Sequence, residues 1–205
     1  MRLRKYIKNL ISENMDKILK LKEIENEIKK CAKCPLHKIR KNPVAGEGNP
    51  NAKVLLVGLG PGYNENLHGK PFVGAAGKFL DELLELAGLK REEIFITNIM
   101  KCYLPNNIAK EEEIKTCTPY LERQLEVIKP EVIITLGNVA TSFMLDKFGI
   151  KVQSIGKIHG QRFRVRNLIL EAEIIPMYHP ATALYNAGMK EILKEGWKKI
   201  SNLQT

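Results

Sequence analysis

The segment that decides the fold is residues 53–77, KVLLVGLGPGYNENLHGKPFVGAAG. It opens with a continuous apolar run at 54–57, which is typical of a strand buried on both faces of a sheet. Three glycines follow within 58–62, and their missing Cβ atoms allow backbone angles and close approaches that other residues forbid. The segment then enters an apolar pattern with helical spacing. This arrangement suits a wall for a flat ligand, but an ordinary strand–helix turn of an α/β domain has the same pattern.

The rest of the chain repeats this alternation of strands and helices. Apolar runs predict four strands, at residues 54–57, 94–96, 132–136 and 174–178. Helical patterns predict helices at residues 75–87, 111–128, 139–147 and 189–202. Alternating strands and helices indicate a parallel sheet with right-handed crossovers. Residues 152–170 are rich in β-formers and predict a hairpin with one basic face.

In such a sheet, ligands bind at the carboxyl ends of the strands. The residues predicted at those ends are the 58–62 glycine loop, Asn98, Gly137 with Asn138, and His179. The topology therefore collects a bare backbone, an amide, a helix N-terminus and an imidazole at one edge of the sheet. This is the strongest argument from the residues alone for a functional site.

The bulk composition is that of a soluble globular protein. The chain has 205 residues, of which 44% are hydrophobic and 27% charged, and this length suits one α/β domain with a small appendage. We expect a helical extension over residues 1–30 and a single domain over residues 31–205. The N-terminal segment is charged and lacks the apolar core of a signal peptide, and no apolar run has the length of a membrane span. We therefore expect a cytoplasmic protein with no membrane partner.

The net charge of +10 makes an acidic polymer a natural partner, nucleic acid first. Lysine-rich chains that also carry many glutamates are common in heat-adapted organisms as well. The charge is therefore supporting information for nucleic-acid binding and does not establish it.

The four cysteines are Cys31, Cys34, Cys102 and Cys117. In a reducing cytoplasm, cysteines indicate a metal site or buried apolar positions rather than disulfides. Four thiolates suit either structural zinc or an iron–sulfur cluster. The first pair is followed by Pro35, as in cluster-binding runs, and the absence of a second C-x-x-C from the sequence weakens the zinc alternative. Spacing alone does not name the metal, and scattered core cysteines remain an alternative.

Taken together, these motifs resemble family 4 uracil-DNA glycosylases, the iron–sulfur branch of the uracil-DNA glycosylase superfamily. The matching stretches are CAKCP at 31–35, GLGPG at 58–62, GKPFVGAAG at 69–77, TNIMKC at 97–102, PNN at 105–107, LGNVA at 136–140 and HPA at 179–181. The resemblance implies a three-layer α/β/α sandwich around a four-stranded parallel sheet. It also implies a monofunctional glycosylase that flips uracil out of DNA and hydrolyses the glycosidic bond, leaving an abasic site.

The resemblance further implies roles for particular residues. Phe72 would stack on the flipped uracil, Asn98 would read its polar edge, and His179 would donate to uracil O2. Backbone around Leu59 and Gly60 would line the pocket. The cluster expected by resemblance is [4Fe–4S], held by Cys31, Cys34, Cys102 and Cys117.

The same resemblance implies that Leu184 or Tyr185 wedges into the duplex as the base leaves. Independently of the resemblance, the helix start at Gly137 and Asn138 could hold a phosphate. Basic side chains at Lys157, Arg162 and Arg164 are further candidates for backbone contacts. The expected partner is uracil-containing DNA, double- or single-stranded, bound by a monomer. Contact with a sliding clamp is left open.

The chain departs from the family pattern at Leu59, where family 4 usually has glutamate. An acidic residue is also frequent where Asn66 stands, so the loop keeps only Glu65. We therefore expect Glu65 to be the catalytic carboxylate together with His179. Asn64, His68 or a backbone carbonyl could replace it, or catalysis could rest mainly on His179.

Three alternatives to the family 4 activity follow. With Leu59, the first motif resembles that of the family 5 enzymes, which act on a broader range of deaminated bases. A non-catalytic iron–sulfur or zinc DNA-binding module of the same fold is a second alternative. A small electron carrier is a third.

Overall fold

The computed structural model describes residues 2–168 and 170–201 of the chain. Within these ranges the strands are β1 (Glu47–Gly48), β2 (Val54–Gly58), β3 (Phe95–Asn98), β4 (Val132–Leu136), β5 (Phe163–Arg166) and β6 (Glu171–Met177). The helices are α1 (Arg2–Lys30), α2 (Tyr63–His68), α3 (Ala75–Leu86), α4 (Glu111–Ile128), α5 (Asn138–Asp146), α6 (Ile155–Ile158), α7 (Thr182–Tyr185) and α8 (Ala187–Lys199). None of the helices described is both long enough and apolar enough to cross a membrane.

The strands form one sheet in the order β1-β3-β2-β4-β6-β5. The four inner strands are parallel and correspond to the four predicted ones. The α/β fold class is therefore confirmed, but the sheet described has six strands rather than four. The additional strands β1 and β5 are short and antiparallel, and they pair with backbone groups that the inner strands would otherwise leave open at the sheet edges.

The segment predicted as a hairpin, residues 152–170, is only partly a strand. β5 pairs antiparallel with β6, so the hairpin joins this segment to the following strand. Ile155–Ile158 instead forms the short helix α6, and its two isoleucines are buried. The last predicted helix ends at Lys199, and its predicted end at Asn202 lies outside the described residues.

Helices cover both faces of the sheet, which explains why the inner strands are continuously apolar. Leu55 and Val57 belong to a core shared with α1, α4 and α5. Val54 and Leu56, which alternate with them, belong to a second core shared with α3 and α8. Successive strand residues point to opposite faces, so each inner strand contributes to two cores and the architecture is a three-layer α/β/α sandwich.

The apolar side chains of the N-terminal helix α1 are buried at its C-terminal end and exposed in the turns before it. Ile24 and Ile28 are fully buried in the first core, and Glu27 pairs with Arg123 on α4. In the preceding turns Ile11 and Met15 are more than half exposed. The last turns of α1 thus share the core of the main domain, and the boundary expected at residue 30 stays a prediction.

We expect Ile28→Ala to destabilise the protein by about 2–5 kcal/mol, because it removes buried methyl groups and leaves a cavity. Ile11→Ala on the same helix should change stability by about 0.5 kcal/mol or less, since that side chain is exposed. Urea unfolding of both variants measures the difference. Equal effects would show that α1 does not pack as described.

Candidate active site

The carboxyl ends of the parallel strands open into one cavity of about 610 Å³. Asn98 is the last residue of β3, Gly137 directly follows β4, and His179 lies just beyond β6. All three line the cavity. Further lining residues that the sequence predicted are Leu59, Gly60, Glu65, Phe72, Asn138 and Tyr185. The described structure thus gathers most of the predicted site residues at one edge of the sheet.

The side chains of Phe72, Asn98 and His179 come together around this cavity. The ring centroids of Phe72 and His179 are 5.7 Å apart, and the ring planes differ by 28°. Gly58 lies beside both Asn98 and Phe72. A Cβ at position 58 would overlap Asn98 Oδ1 and come within 3.1 Å of Phe72 Cζ. An aromatic ring, an amide and an imidazole therefore share one small space, and glycine is needed to leave room for them.

His179 has a defined tautomer and an unusual environment. Its Nδ1 accepts a hydrogen bond from the backbone N–H of Ala181 at 3.1 Å, so Nε2 carries the proton in the neutral ring. Burial lowers the pKa of His179 to about 4, an effect that the nearby Glu65 carboxylate opposes. The imidazole is therefore a neutral N–H donor at ordinary pH.

The backbone of Asn98 is bound by a buried lysine, Lys101, to which sequence analysis assigned no role. Lys101 Nζ donates to the carbonyl oxygen of Asn98 at 2.7 Å, to Thr97 Oγ1 at 2.7 Å and to Gln124 Oε1 at 2.8 Å. Three acceptors match the three N–H groups of an ammonium, although burial lowers the pKa of Lys101 to about 7. The signal for this role in the sequence was the position of Lys101 between the apolar residues 99–100 and Cys102.

Glu65 lies in the cavity wall and holds the Phe72 loop. Its Oε1 accepts from the backbone N–H groups of Val73 at 2.9 Å and Gly74 at 3.1 Å. The other oxygen, Oε2, lies beside Gly62, where an added Cβ would be 2.8 Å away. One oxygen is thus engaged in structure, and the predicted catalytic role of Glu65 stays a prediction.

Asn66, which stands where the family often has an acidic residue, is a structural amide in this chain. It is buried, and its Oδ1 accepts from the backbone N–H groups of Lys41 at 2.7 Å and Asn42 at 3.3 Å. This position therefore ties α2 to the preceding loop.

The residues predicted to meet DNA lie at or near the cavity rim. Tyr185 lines the cavity and is 90% exposed, whereas Leu184 is exposed beside it without lining the cavity. Gly137 and Asn138 begin α5, and Asn138 Oδ1 accepts from the backbone N–H of Ile155. Ala76, Asn107, Thr182 and Asn186 are among the other lining residues, to which sequence analysis assigned no role.

Two of the candidate basic contacts, Arg162 directly before β5 and Arg164 on β5, are engaged within the protein. Arg162 and Arg164 both reach the carboxylate of Glu173 on β6, at 2.9 and 3.4 Å. These arginines are exposed, and their contact with DNA stays a prediction.

The four cysteines are unpaired; Cys102 and Cys117 are buried in the first core, and Cys31 and Cys34 are half-buried against it. Arg40 Nη1 donates to Cys102 Sγ at 3.1 Å, and the backbone N–H of Lys101 donates to Cys117 Sγ at 3.3 Å. Burial raises the pKa of Cys102 and that of Cys117, the latter to about 11, and both thiols are close enough to Cys34 to be affected by its charge. Among the described side chains, no group of three or more cysteine, histidine or acidic residues is arranged to hold a metal ion.

The chemistry of this donor set nevertheless fits a thiolate-bound cluster. Cluster sulfurs accept hydrogen bonds from neighbouring N–H groups, and Arg40 and the Lys101 amide already donate to two of the cysteine sulfurs. Buried thiols lose their protons readily only when positive charge is supplied. Iron ions would supply that charge.

The fold and cavity define an α/β/α protein in which an aromatic ring, an amide and an imidazole line one cavity at the sheet edge. Residues 45–201 match the family model of the uracil DNA glycosylase superfamily. The chain is 48% identical to a type-4 uracil-DNA glycosylase from Saccharolobus solfataricus, over 86% of this chain and 83% of the relative. It is 46% identical to the type-4 enzyme of Sulfurisphaera tokodaii, over 92% and 86% of the two chains. The type-4 enzyme of Archaeoglobus fulgidus is 43% identical, over 89% and 92%.

The chain therefore belongs to the uracil-DNA glycosylase superfamily. The resemblance to family 4 is confirmed. The match holds despite Leu59 in the first motif.

We expect NMR titration to show that His179 takes up a proton near pH 4 and is protonated at Nε2 above that pH. The unfolded chain takes up this proton near pH 6.5, about the ordinary value for histidine, and the folded chain only near 4. Stability contributed by the neutral ring is thus complete above about pH 6.5 and falls as the pH drops towards 4.

The His179→Gln variant assigns the signal, because it removes the resonance and leaves the chain otherwise comparable. A titration midpoint near the ordinary histidine value, or a proton on Nδ1, would contradict the environment described for His179.

Proposed function

We propose that this protein is a monofunctional DNA glycosylase that flips uracil out of DNA and hydrolyses its N-glycosidic bond, leaving an abasic site. The observation that carries the proposal is the convergence of Phe72, Asn98 and His179 on one cavity. Membership of the superfamily and the names of the similar relatives support the same reaction.

The first requirement of this reaction is a site for an extruded base. A base inside a duplex must be unstacked and swung out before its glycosidic bond can be reached. The buried face of Phe72 offers a stacking surface, which is worth roughly 1–3 kcal/mol per base. The amide of Asn98 offers a donor for uracil O4 and an acceptor for uracil N3–H. Cytosine presents the opposite pattern and would leave these groups unpaired, which provides discrimination.

The second requirement is stabilisation of the leaving group. Cleavage of the glycosidic bond places negative charge on uracil O2. A neutral imidazole whose Nε2–H faces that oxygen stabilises the anion in the way that an oxyanion hole does. Because His179 is half-buried in the cavity wall, water competes less for this hydrogen bond and the electrostatic stabilisation is stronger.

Glu65 is the carboxylate that we propose either holds the attacking water or stabilises the positive charge that develops on the sugar. It lines the same cavity, and its charge is close enough to raise the pKa of His179. The hydrogen bonds of Oε1 to Val73 and Gly74 fix the direction of the carboxylate, which leaves Oε2 for the reaction.

DNA is the proposed macromolecular partner, as a uracil-containing single strand or duplex bound by a monomer. Tyr185 is the better candidate for the wedge, because it is exposed at the cavity rim where the vacated stack would lie. The first N–H groups of α5, after Gly137, can donate hydrogen bonds to a phosphate at the helix N-terminus. A cytoplasmic location agrees with the four unpaired cysteines.

We also infer that Cys31, Cys34, Cys102 and Cys117 hold a [4Fe–4S] cluster. The cluster would supply a covalent brace between the end of α1, the loop after β3 and α4. Cys102 lies four residues after Asn98 in the chain, and the Lys101 amide between them donates to Cys117. A brace at this point therefore steadies the strand end that carries the base-reading amide, and no chemical step is required of it.

We expect the wild-type protein to excise uracil from an oligonucleotide, detected as strand cleavage after alkali. Asn98→Ala and His179→Ala should each lower the single-turnover rate by about 10²–10³-fold, the usual effect of removing a donor to a developing oxyanion or its equivalent. Glu65→Gln keeps an oxygen for Val73 and Gly74 and removes the charge, so it should slow the reaction without loosening the loop.

Full activity of Glu65→Gln alongside inactive Asn98 and His179 variants would show that the proposed role of Glu65 is wrong. No excision by the wild-type protein would favour a non-catalytic DNA-binding module. Strong excision of hypoxanthine or thymine in the same assay would favour the broader family 5 specificity.

Cys117→Ser should remove the visible absorbance and most of the iron of protein purified without oxygen, because one of the four proposed ligands is lost. Thr116→Ser, one position away on α4, is the matched control and should retain both. Metal analysis that finds zinc in the wild-type protein, or iron unaffected by Cys117→Ser, would contradict the cluster assignment.

A further inference from the structure

The aromatic residue at the centre of the site has a strained backbone. Phe72 has φ +52°, in the left-handed region that side chains with a Cβ rarely adopt. This conformation costs roughly 1–3 kcal/mol for a residue other than glycine, and it persists only where the surroundings enforce it. The strain therefore raises the question of what holds Phe72 in place.

Opposite charges hold the backbone on the two sides of Phe72. Arg91 Nη2 donates to the backbone carbonyl oxygens of Pro71 at 2.7 Å and of Phe72 itself at 3.3 Å. On the C-terminal side of Phe72, the Glu65 carboxylate accepts hydrogen bonds from the backbone N–H groups of Val73 and Gly74. A cation on the carbonyls and an anion on the amides fix the orientation of the peptide planes around the strained residue.

Arg91 is itself fixed by two elements of the scaffold. Its Nη1 donates to Asp81 on α3 at 2.7 Å, and its Nη2 reaches Glu47 on β1 at 3.3 Å. The guanidinium is planar and holds several acceptors in a fixed geometry. The loop also lies against α3 so closely that a Cβ at Gly77 would overlap the Phe72 carbonyl oxygen.

We propose that Arg91 is a positioning residue that holds the Phe72 ring in the orientation needed to stack on the extruded base. It lies outside the cavity lining and acts through the Pro71 and Phe72 carbonyls, with no contact to the base. This inference rests on the proposed function, since it concerns how the same site binds uracil.

Removal of the guanidinium frees the two carbonyls and allows Phe72 to relax from its left-handed conformation. The ring then no longer presents a fixed face, so binding of the base weakens. Lysine at position 91 has a single, more compact charge and can hold only part of this set of acceptors. Its effect should therefore be intermediate.

The test is a double-mutant cycle that measures inhibition of excision by free uracil. Arg91→Ala and Phe72→Ala should each raise the inhibition constant for uracil, by about tenfold. In the Phe72→Ala background, Arg91→Ala should add less than about twofold, because residues that act through one another are not additive. Arg123→Ala is the matched control: it removes another ion-paired, partly exposed arginine that does not line the cavity, and the inhibition constant should not change.

Melting temperatures of all variants are measured in parallel, and Arg91→Lys replaces Arg91→Ala if the latter does not fold. An unchanged inhibition constant, or an equal loss in the two backgrounds, would overturn the positioning role. If the wild-type protein neither excises uracil nor is inhibited by it, the proposed function fails and this inference fails with it. Normal excision by the wild-type protein with no effect at position 91 rejects the inference alone.

Discussion

The site depends on the parallel alignment of the four inner strands. Gly58 at the end of β2 is paired directly with Asn98 at the end of β3. Leu136 at the end of β4 is paired with Met177 at the end of β6, and the backbone N–H of Gly137 donates to Met177. Because parallel strands end at the same edge, residues far apart in the chain become neighbours around one cavity. A shift of register by one residue would turn Asn98 away from the space that Gly58 leaves open.

Lys101 and Arg91 bind the backbone carbonyls of two residues whose side chains we propose to bind the base. Lys101 donates to the carbonyl of Asn98, and Arg91 donates to the carbonyl of Phe72. The hydrogen bonds from the Arg91 guanidinium are charge-assisted and therefore stronger than neutral ones. The Lys101 Nζ has three acceptors and little freedom to reorganise. Polar groups that are fixed before the substrate arrives lower the reorganisation required in the transition state. The site is thus rigid for an identifiable reason, although its side chains lie on strand ends and loops.

Sequence alone predicted the four inner strands because each is an apolar run bounded by a helix breaker or a turn residue, as 132–136 is by Pro130 and Gly137. It missed β1 because a strand of two residues has no periodicity, and it missed α6 for the same reason. The strand-end rule predicted Asn98 and His179 at one edge, whereas the stacking role of Phe72 and the choice of metal at the cysteines needed the family resemblance. Neither approach could find Arg91 or Lys101, since their partners are set by tertiary contacts and a lysine or arginine is most often exposed.

The replacement of the family's usual glutamate by Leu59 changes the electrostatics of the proposed reaction. Among the described residues that line the cavity, Glu65 has the sole carboxylate. Negative charge close to the departing uracil anion opposes bond cleavage, whereas the same charge close to the sugar favours it. The two N–H groups that bind Glu65 Oε1 offset part of its charge on the side of the Phe72 loop. Leu59 adds an apolar, uncharged side chain to the cavity lining, so the proposed hydrogen bond from His179 to O2 would act in a less polar medium and be stronger. Loss of the second carboxylate is therefore compatible with catalysis that depends mainly on stabilising the leaving group.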